Sequence, residues 1–225
     1  NRIISCTKCD RLIKYCGEIS RTKKRMYMGD DYWGKPVPGF GDPNAQVLIV
    51  GLAPAAHGAN RTGRMFTGDK SGSWLFTTLN KFGFSDSKES SSKKDGLKLK
   101  NVYITSMVHC APPNNKPSKE EIDCCSLYLK EEMKLLTNLK VVVTLGKIAF
   151  DGYCKSLKTM GYVWNQNGVK PRFGHGSIFK TPDNKTLISS FHPSQQNTQT
   201  GKLTREMFDN IFFKVEQALS VKGMV

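Results

Sequence analysis

The sequence predicts an α/β protein: a four-stranded parallel sheet with helices on both faces, forming a single domain over residues 1–225. Three observations carry that prediction. Four short runs, at 47–50, 101–108, 140–146 and 186–191, are apolar and rich in β-branched residues, as strands buried on both faces of a parallel sheet are. Each run is followed by a polar loop and then by residues at helical spacing, the alternation that parallel crossovers require. The chain of 225 residues, 38% hydrophobic with 20 glycines, is long enough to bury one sizeable core and needs no second domain.

Charge is the unusual feature of the composition. The chain has 34 basic against 19 acidic residues, a formal net of +15 and a pI near 9.5. Such a balance favours a polyanionic partner, most simply nucleic acid, over an anionic membrane surface; a solvated basic face is the plain alternative. No run of about eighteen apolar residues and no signal-peptide core is visible, so the expectation is a cytosolic protein with no membrane partner. Seven cysteines, an odd number, argue against a complete disulfide framework and for metal binding or free thiols.

In chain order, Cys6 and Cys9 form a CxxC pair followed by Arg11, Lys14, Arg21, Lys23, Lys24 and Arg25. Two thiolates at this spacing can grip one metal ion or one edge of an iron–sulfur cluster, but also suit a redox pair or chance; a site needs two more ligands. Cys16 is either a ligand or a small buried apolar residue. Residues 28–43, with Tyr32, Trp33, Pro36, Pro38 and Phe40, read as an irregular loop leading into the first strand. After that strand, residues 51–69 are rich in small residues and end in Asp69; such a loop lets a ligand approach the backbone.

Ser71 is a plausible N-cap for a helix through Phe82, in which Trp74, Leu75, Thr78 and Leu79 recur at helical spacing. Residues 85–98 are polar and simple, and read as a mobile surface loop. The second strand, 101–108, delivers a proline-stiffened segment from His109 to Pro117. Ser118 and Glu121 form a capping box for a helix through Ile122, Cys125, Leu129 and Met133. Cys125 shares the inward face with Ile122 and Leu129, which favours it over Cys124 as a ligand. The third strand, 140–146, leads into a helix beginning at Lys147. Residues 165–177, with Arg172 and His175, read equally as a phosphate-touching excursion or a solvated hairpin. The fourth strand is followed by a polar segment from His192 to Thr204 and a last helix over 205–219.

The chemistry therefore sits on loops leaving three strand ends, where open parallel sheets place ligands. Their residues read Gly51-Leu-Ala-Pro-Ala-Ala-His-Gly58 with Arg61-Thr-Gly-Arg-Met-Phe-Thr-Gly-Asp69, then Cys110-Ala-Pro-Pro-Asn-Asn-Lys-Pro117, then His192-Pro-Ser with Asn197 to Thr204. Three long motifs in this order resemble the family 5 uracil-DNA glycosylases of bacteria and archaea, from Cys6 to Thr204. The resemblance implies a three-layer α/β/α sandwich and hydrolysis of the N-glycosidic bond of uracil in DNA, with other deaminated bases such as hypoxanthine as further substrates. It also implies a prokaryotic cytoplasmic setting and a 4Fe-4S cluster on Cys6, Cys9, Cys110 and Cys125; a monomer is expected. Where many related glycosylases carry a polar residue after the first strand, this chain has Ala55 and Ala56, and Ser106 stands where some relatives have asparagine. Both departures match family 5.

The chemistry of base release assigns roles on these motifs. The target nucleotide must leave the stack and be held by stacking and edge hydrogen bonds. Phe66 is the candidate stacking face, or else a core anchor. Asn115 offers a donor and an acceptor for the uracil edge or a water, or else turns the chain between prolines. Gly51, Ala53, Ala55 and His57 line the expected pocket. His192 is placed to stabilise charge leaving on the uracil oxygen. Asp69 is the candidate for activating water, or else holds Arg61 or Arg64. Arg61, Arg64, Lys116 and Lys202 are expected on phosphates, and 194–200 as a flexible wedge. Two other classes remain: a damaged-DNA binding protein that does not cut, and an iron–sulfur redox protein. A P-loop enzyme is disfavoured, since 51–58 lacks the Gly-Lys-Ser/Thr ending.

Overall fold

The computed structural model describes residues 2–164 and 171–220. Its helices are α1 (Asp10–Thr22), α2 (Ala59–Thr62), α3 (Lys70–Lys81), α4 (Lys119–Leu135), α5 (Lys147–Thr159), α6 (Gln195–Gln199) and α7 (Arg205–Ser220). The strands are β1 (Phe40–Gly41), β2 (Val47–Gly51), β3 (Val102–Ser106), β4 (Val141–Leu145), β5 (Ile178–Lys180) and β6 (Thr186–Ser190).

All four expected strands are present and parallel, in the order β3-β2-β4-β6. Two short antiparallel strands extend the sheet to six, β1 beside β3 and β5 beside β6. Neither is visible in the sequence, because both are edges: β1 is two residues with no apolar run, and β5 turns Ile178 outward. Such strands are identified by their partners rather than by pattern.

The pleat divides the apolar residues between two cores, because alternate side chains point to opposite faces. Leu48, Val50, Val142 and Leu187 pack with α1, α4 and α5. Val47, Ile49, Ile104, Val143 and Ile188 pack with α3 and α7 on the other face. The three-layer α/β/α sandwich follows.

From β2 the chain steps to β3 on one side and later to β4 and β6 on the other. The order therefore reverses between β2 and β4, and a crevice at the carboxyl ends of the strands is expected there. The loops after β2, β3 and β6 meet at that edge.

Three local expectations are corrected. The cap of α3 is Asp69 rather than Ser71: its Oδ1 accepts the Gly72 N–H at 2.8 Å. The expected flexible wedge at 194–200 contains α6, whose cap is the Ser194 hydroxyl accepting from Asn197 N–H. The segment 85–98 is tied down, with Leu97 buried and Asp95 paired to a buried arginine. By contrast, Ser118 and Glu121 form the expected capping box on α4. Of the basic excursion at 165–177, residues 165–170 lie outside the described residues; beyond them, His175 stacks on Phe191 and accepts its N–H.

Candidate active site

A cavity of about 590 Å³ opens at the carboxyl edge of the sheet. Its lining includes Ala53, Ala55, Phe66 and Asp69 from the loop after β2, Asn114 and Asn115 from the loop after β3, and His192 from the loop after β6. Three stretches far apart in sequence thus meet in one concavity.

Phe66 is held in an unusual way. Its backbone has φ +53, a left-handed conformation that bulky residues rarely adopt and that persists where the surroundings over-determine it. The ring lies against Gly51, where a β-carbon would come within 2.8 Å of the phenyl edge. Gly51 therefore acts as the seat for Phe66. On its other side the ring stacks with His192 at a centroid separation of 6.1 Å and 28° between planes.

His192 follows β6 and precedes buried Pro193, and its carbonyl accepts from Asn197 Nδ2 at 2.8 Å. The backbone that carries the imidazole is thus fixed from two sides. Desolvation by burial lowers the His192 pKa to about 4, so the ring is neutral at pH 7. Among the described residues it has no hydrogen-bond partner. A neutral imidazole still carries one N–H, which leaves a prepositioned donor facing the cavity.

Asp69 has two duties. As the cap of α3 its Oδ1 is engaged, while a β-carbon on Gly58 would come within 2.4 Å of Oδ2, so an alanine there would collide with the carboxylate. Burial raises the Asp69 pKa, opposed by the N–H groups of Gly72 and Ser71 and by the charge of Arg61. A helix N-terminus favours the ionised form. The carboxylate pairs with neither Arg61 nor Arg64.

Both arginines of this loop are structural. Arg64 is buried; its guanidinium spans Asp95 at 2.8 and 2.5 Å, with further bonds to Thr67 and Ser90. Burial raises the Asp95 carboxyl, but Arg64 and the N–H groups of Leu97, Ser91 and Ser92 outweigh it and hold the carboxyl well below its usual range. Arg61 donates to Asp30 at 2.6 Å and to the carbonyls of His57 and Gly68, and lies 3.9 Å from the Tyr27 ring centroid. The phosphate contacts expected at 61 and 64 meet guanidiniums largely spent inside the fold: three of the five N–H donors of Arg61 and four of those of Arg64 are bonded to the protein.

Lys116 and Lys202 do reach solvent; Lys202 rests over Phe191 at 5.0 Å. His57 is turned away from the cavity, its Nδ1 against the Tyr32 hydroxyl at 3.0 Å. Asn114, Lys70, Gln195 and Gln196 also line the cavity, and the sequence did not single them out. The signal for Asn114 was present: consecutive asparagines between prolines both adopt positive φ, 54° and 55°, on the loop that lines the cavity.

The cysteines gather beside this site, where α1, the segment after β3 and α4 meet. Cys110 and Cys125 are buried; the His109 N–H lies 3.4 Å from the Cys125 sulfur. Burial pushes the Cys125 thiol up to about 12, with Cys9 and Cys6 adding to the rise. Burial also pushes Cys9 up to about 11, aided by Cys124 and Cys6. Cys16 is buried and receives the Ala111 N–H at 3.2 Å. Among the described residues, no three such side chains stand close enough to hold one metal ion.

A family model for the uracil DNA glycosylase superfamily matches residues 38–216. The chain belongs to that superfamily. It is 43% identical over 215 residues to a type-5 uracil-DNA glycosylase of Thermus thermophilus, covering 96% of this chain and 94% of that protein. A type-5 uracil-DNA glycosylase of Pyrobaculum aerophilum is 43% identical over 206 residues, 92% of this chain and 85% of the relative. A type-4 uracil-DNA glycosylase of Sulfurisphaera tokodaii is 36% identical over 185 residues, 78% and 72% of the two chains. The superfamily match includes all three cavity loops and begins beyond the CxxC pair.

Proposed function

We propose that this protein is a uracil-DNA glycosylase that hydrolyses the N-glycosidic bond of uracil in DNA. The observation that carries this reading is the convergence of Phe66, Asn114, Asn115, Asp69 and a neutral His192 on one cavity of about 590 Å³. An extruded uracil stacks on Phe66 while the asparagine amides meet its donor and acceptor edge. As the bond from C1′ to N1 breaks, its electron pair moves into the uracil ring, and the His192 N–H stabilises the charge that reaches the oxygen. Asp69 steadies the positive charge on the sugar and takes a proton from the water whose oxygen bonds to C1′. That proton passes to the departing base, leaving an abasic site. Hypoxanthine presents a similar amide edge and is the further deaminated base to test.

The cysteines support a 4Fe-4S cluster held by Cys6, Cys9, Cys110 and Cys125. Two of these are buried, Cys9 and Cys6 both act on Cys125, Cys110 is raised first by Cys16 and further by Cys125 and Cys6, and a backbone N–H is aimed at the Cys125 sulfur. Hydrolysis needs no electron, so the cluster's part is to tie α1 to α4 and the segment after β3. Purified protein should be brown, with about four irons per chain, and Cys125→Ser should lose iron and thermal stability together. A colourless protein containing zinc would refute the assignment.

The direct test of function uses an oligonucleotide with one uracil. Release of free uracil and an alkali-labile abasic site are expected. Tight binding without release would favour a damaged-DNA binding protein instead.

A further inference from the structure

We infer that residues 21–28 form a second DNA-gripping element, which presses on the duplex beside the cavity and helps to open it. The inference rests on the reading that the cavity receives an extruded base. Lys23, with φ +48, reverses the chain after α1. The tip beyond it carries Lys24, Arg25, Met26 and Met28, all exposed, with Met26 66% and Met28 58% accessible. Two flexible thioethers standing in solvent just after Lys24 and Arg25 are costly to leave uncovered, and both features match one occupant: cations for phosphates, methionines for the apolar faces of partly unstacked bases.

The tip is anchored from below to the loop that forms the cavity. The Tyr27 ring lies under the Arg61 guanidinium, and Arg61 in turn bonds Asp30 and the carbonyls of His57 and Gly68. Tyr32 joins the two segments again through His57, and its hydroxyl accepts the Lys24 N–H at 3.4 Å. A cleft of about 480 Å³ runs beside the tip, lined by Tyr27, Lys70, Lys88 and Glu89, and it shares Asp69 with the main cavity. The charges within the cleft are balanced. Asp30 is spent on Arg61, and Asp69 and Glu89 stand with Lys70 and Lys88 in the cleft. A strand whose nucleotide has entered the cavity therefore finds a continuous cleft leading past Asp69 to the tip, where Lys24 and Arg25 supply the unpaired positive charge.

The test uses two double variants of the full-length protein, M26S/M28S and K24S/R25S. Binding is measured on undamaged duplex over a range of salt, and uracil release on single-stranded and duplex oligonucleotides. Expected for K24S/R25S is weaker duplex binding, with the salt slope reduced by about 0.9 for each phosphate no longer neutralised. M26S/M28S should slow uracil release from duplex by about tenfold while release from single strands stays within about twofold, because the cost of unstacking arises in the duplex. Wild-type duplex binding and release in both variants would overturn the inference. Equal slowing on both substrates would also overturn it, by showing that the tip merely shapes the cavity loop. If the unaltered protein released no uracil, the glycosylase reading would fall, while the undamaged-duplex measurement would still decide the role of the tip.

Discussion

The loop after β2 and the loops after β3 and β6 carry similar side chains to the same edge of the sheet, yet they use them differently. In the first, Arg61 and Arg64 are turned inward, each bonded to a carboxylate and to further acceptors. In the others, Lys116 and Lys202 stand in solvent and the asparagines and His192 face the cavity. Charge in the first loop fixes the shape of the pocket; polar groups in the other two meet what enters it. A positively charged motif is therefore not by itself a phosphate site. What decides is whether a carboxylate from elsewhere in the chain pairs with the cation, and Asp95 is 31 residues from Arg64.

The largest expected effect breaks the first half of this contrast. Arg64→Ala should destabilise the protein by about 2–3 kcal/mol, because it removes a buried guanidinium that ties Thr67 and Ser90 to Asp95 through charged hydrogen bonds; urea unfolding at pH 7 measures it. A loss below about 1 kcal/mol, the value for an exposed pair, would place Arg64 on the surface after all.

Next in size is a pH effect that sharpens the second half. Folding lowers the His192 pKa from 6.5 to about 4, so the unfolded chain binds the proton more readily. The contribution to stability is fully present above pH 6.5 and is lost as the pH falls through 4. Between those values, stability should decline with a slope approaching about 1.4 kcal/mol per pH unit from this group. In His192→Gln the decline over that window should be shallower. Equal slopes would show that the ring is already hydrated in the fold.

The smallest effect concerns the exposed lysines. Lys202→Ala should weaken DNA binding on all sequences alike and reduce the salt slope by roughly 0.9, the value for one phosphate. The same measurement on Arg61→Lys should leave the slope unchanged, since Arg61 meets Asp30 and the Tyr27 ring instead.

How much of the molecule is legible in its sequence follows from range of interaction. The four parallel strands announce themselves through local composition, and Ser118 and Glu121 cap α4 within one turn of each other, so both are readable. The pocket residues Phe66, Asn115, Asp69 and His192 stand out because they sit on loops at strand ends within motifs of known company. What escapes depends on partners distant in sequence. Asp95 lies in a simple polar stretch whose serines and lysines suggest mobility, and the buried Arg64 together with buried Leu97 explains its order. Asp69 attracts attention for its chemistry while Ser71 looks like the cap, although an aspartate before Lys70 serves that role equally well by its own composition. The edge strands β1 and β5 have no signal of their own.

The central claim is that His192 acts as a neutral donor to the departing base, with Asp69 as the ionised partner of the sugar. Single-turnover uracil release by His192→Ala and Asp69→Asn tests it most directly, since asparagine keeps the helix cap and removes the charge. His192→Ala should be slower than the unaltered protein by about 10²–10³ and Asp69→Asn by about 10²–10⁴, with DNA affinity and melting temperature nearly unchanged in both. Release at the unaltered rate in both variants would contradict the account and place the chemistry on other residues of the cavity.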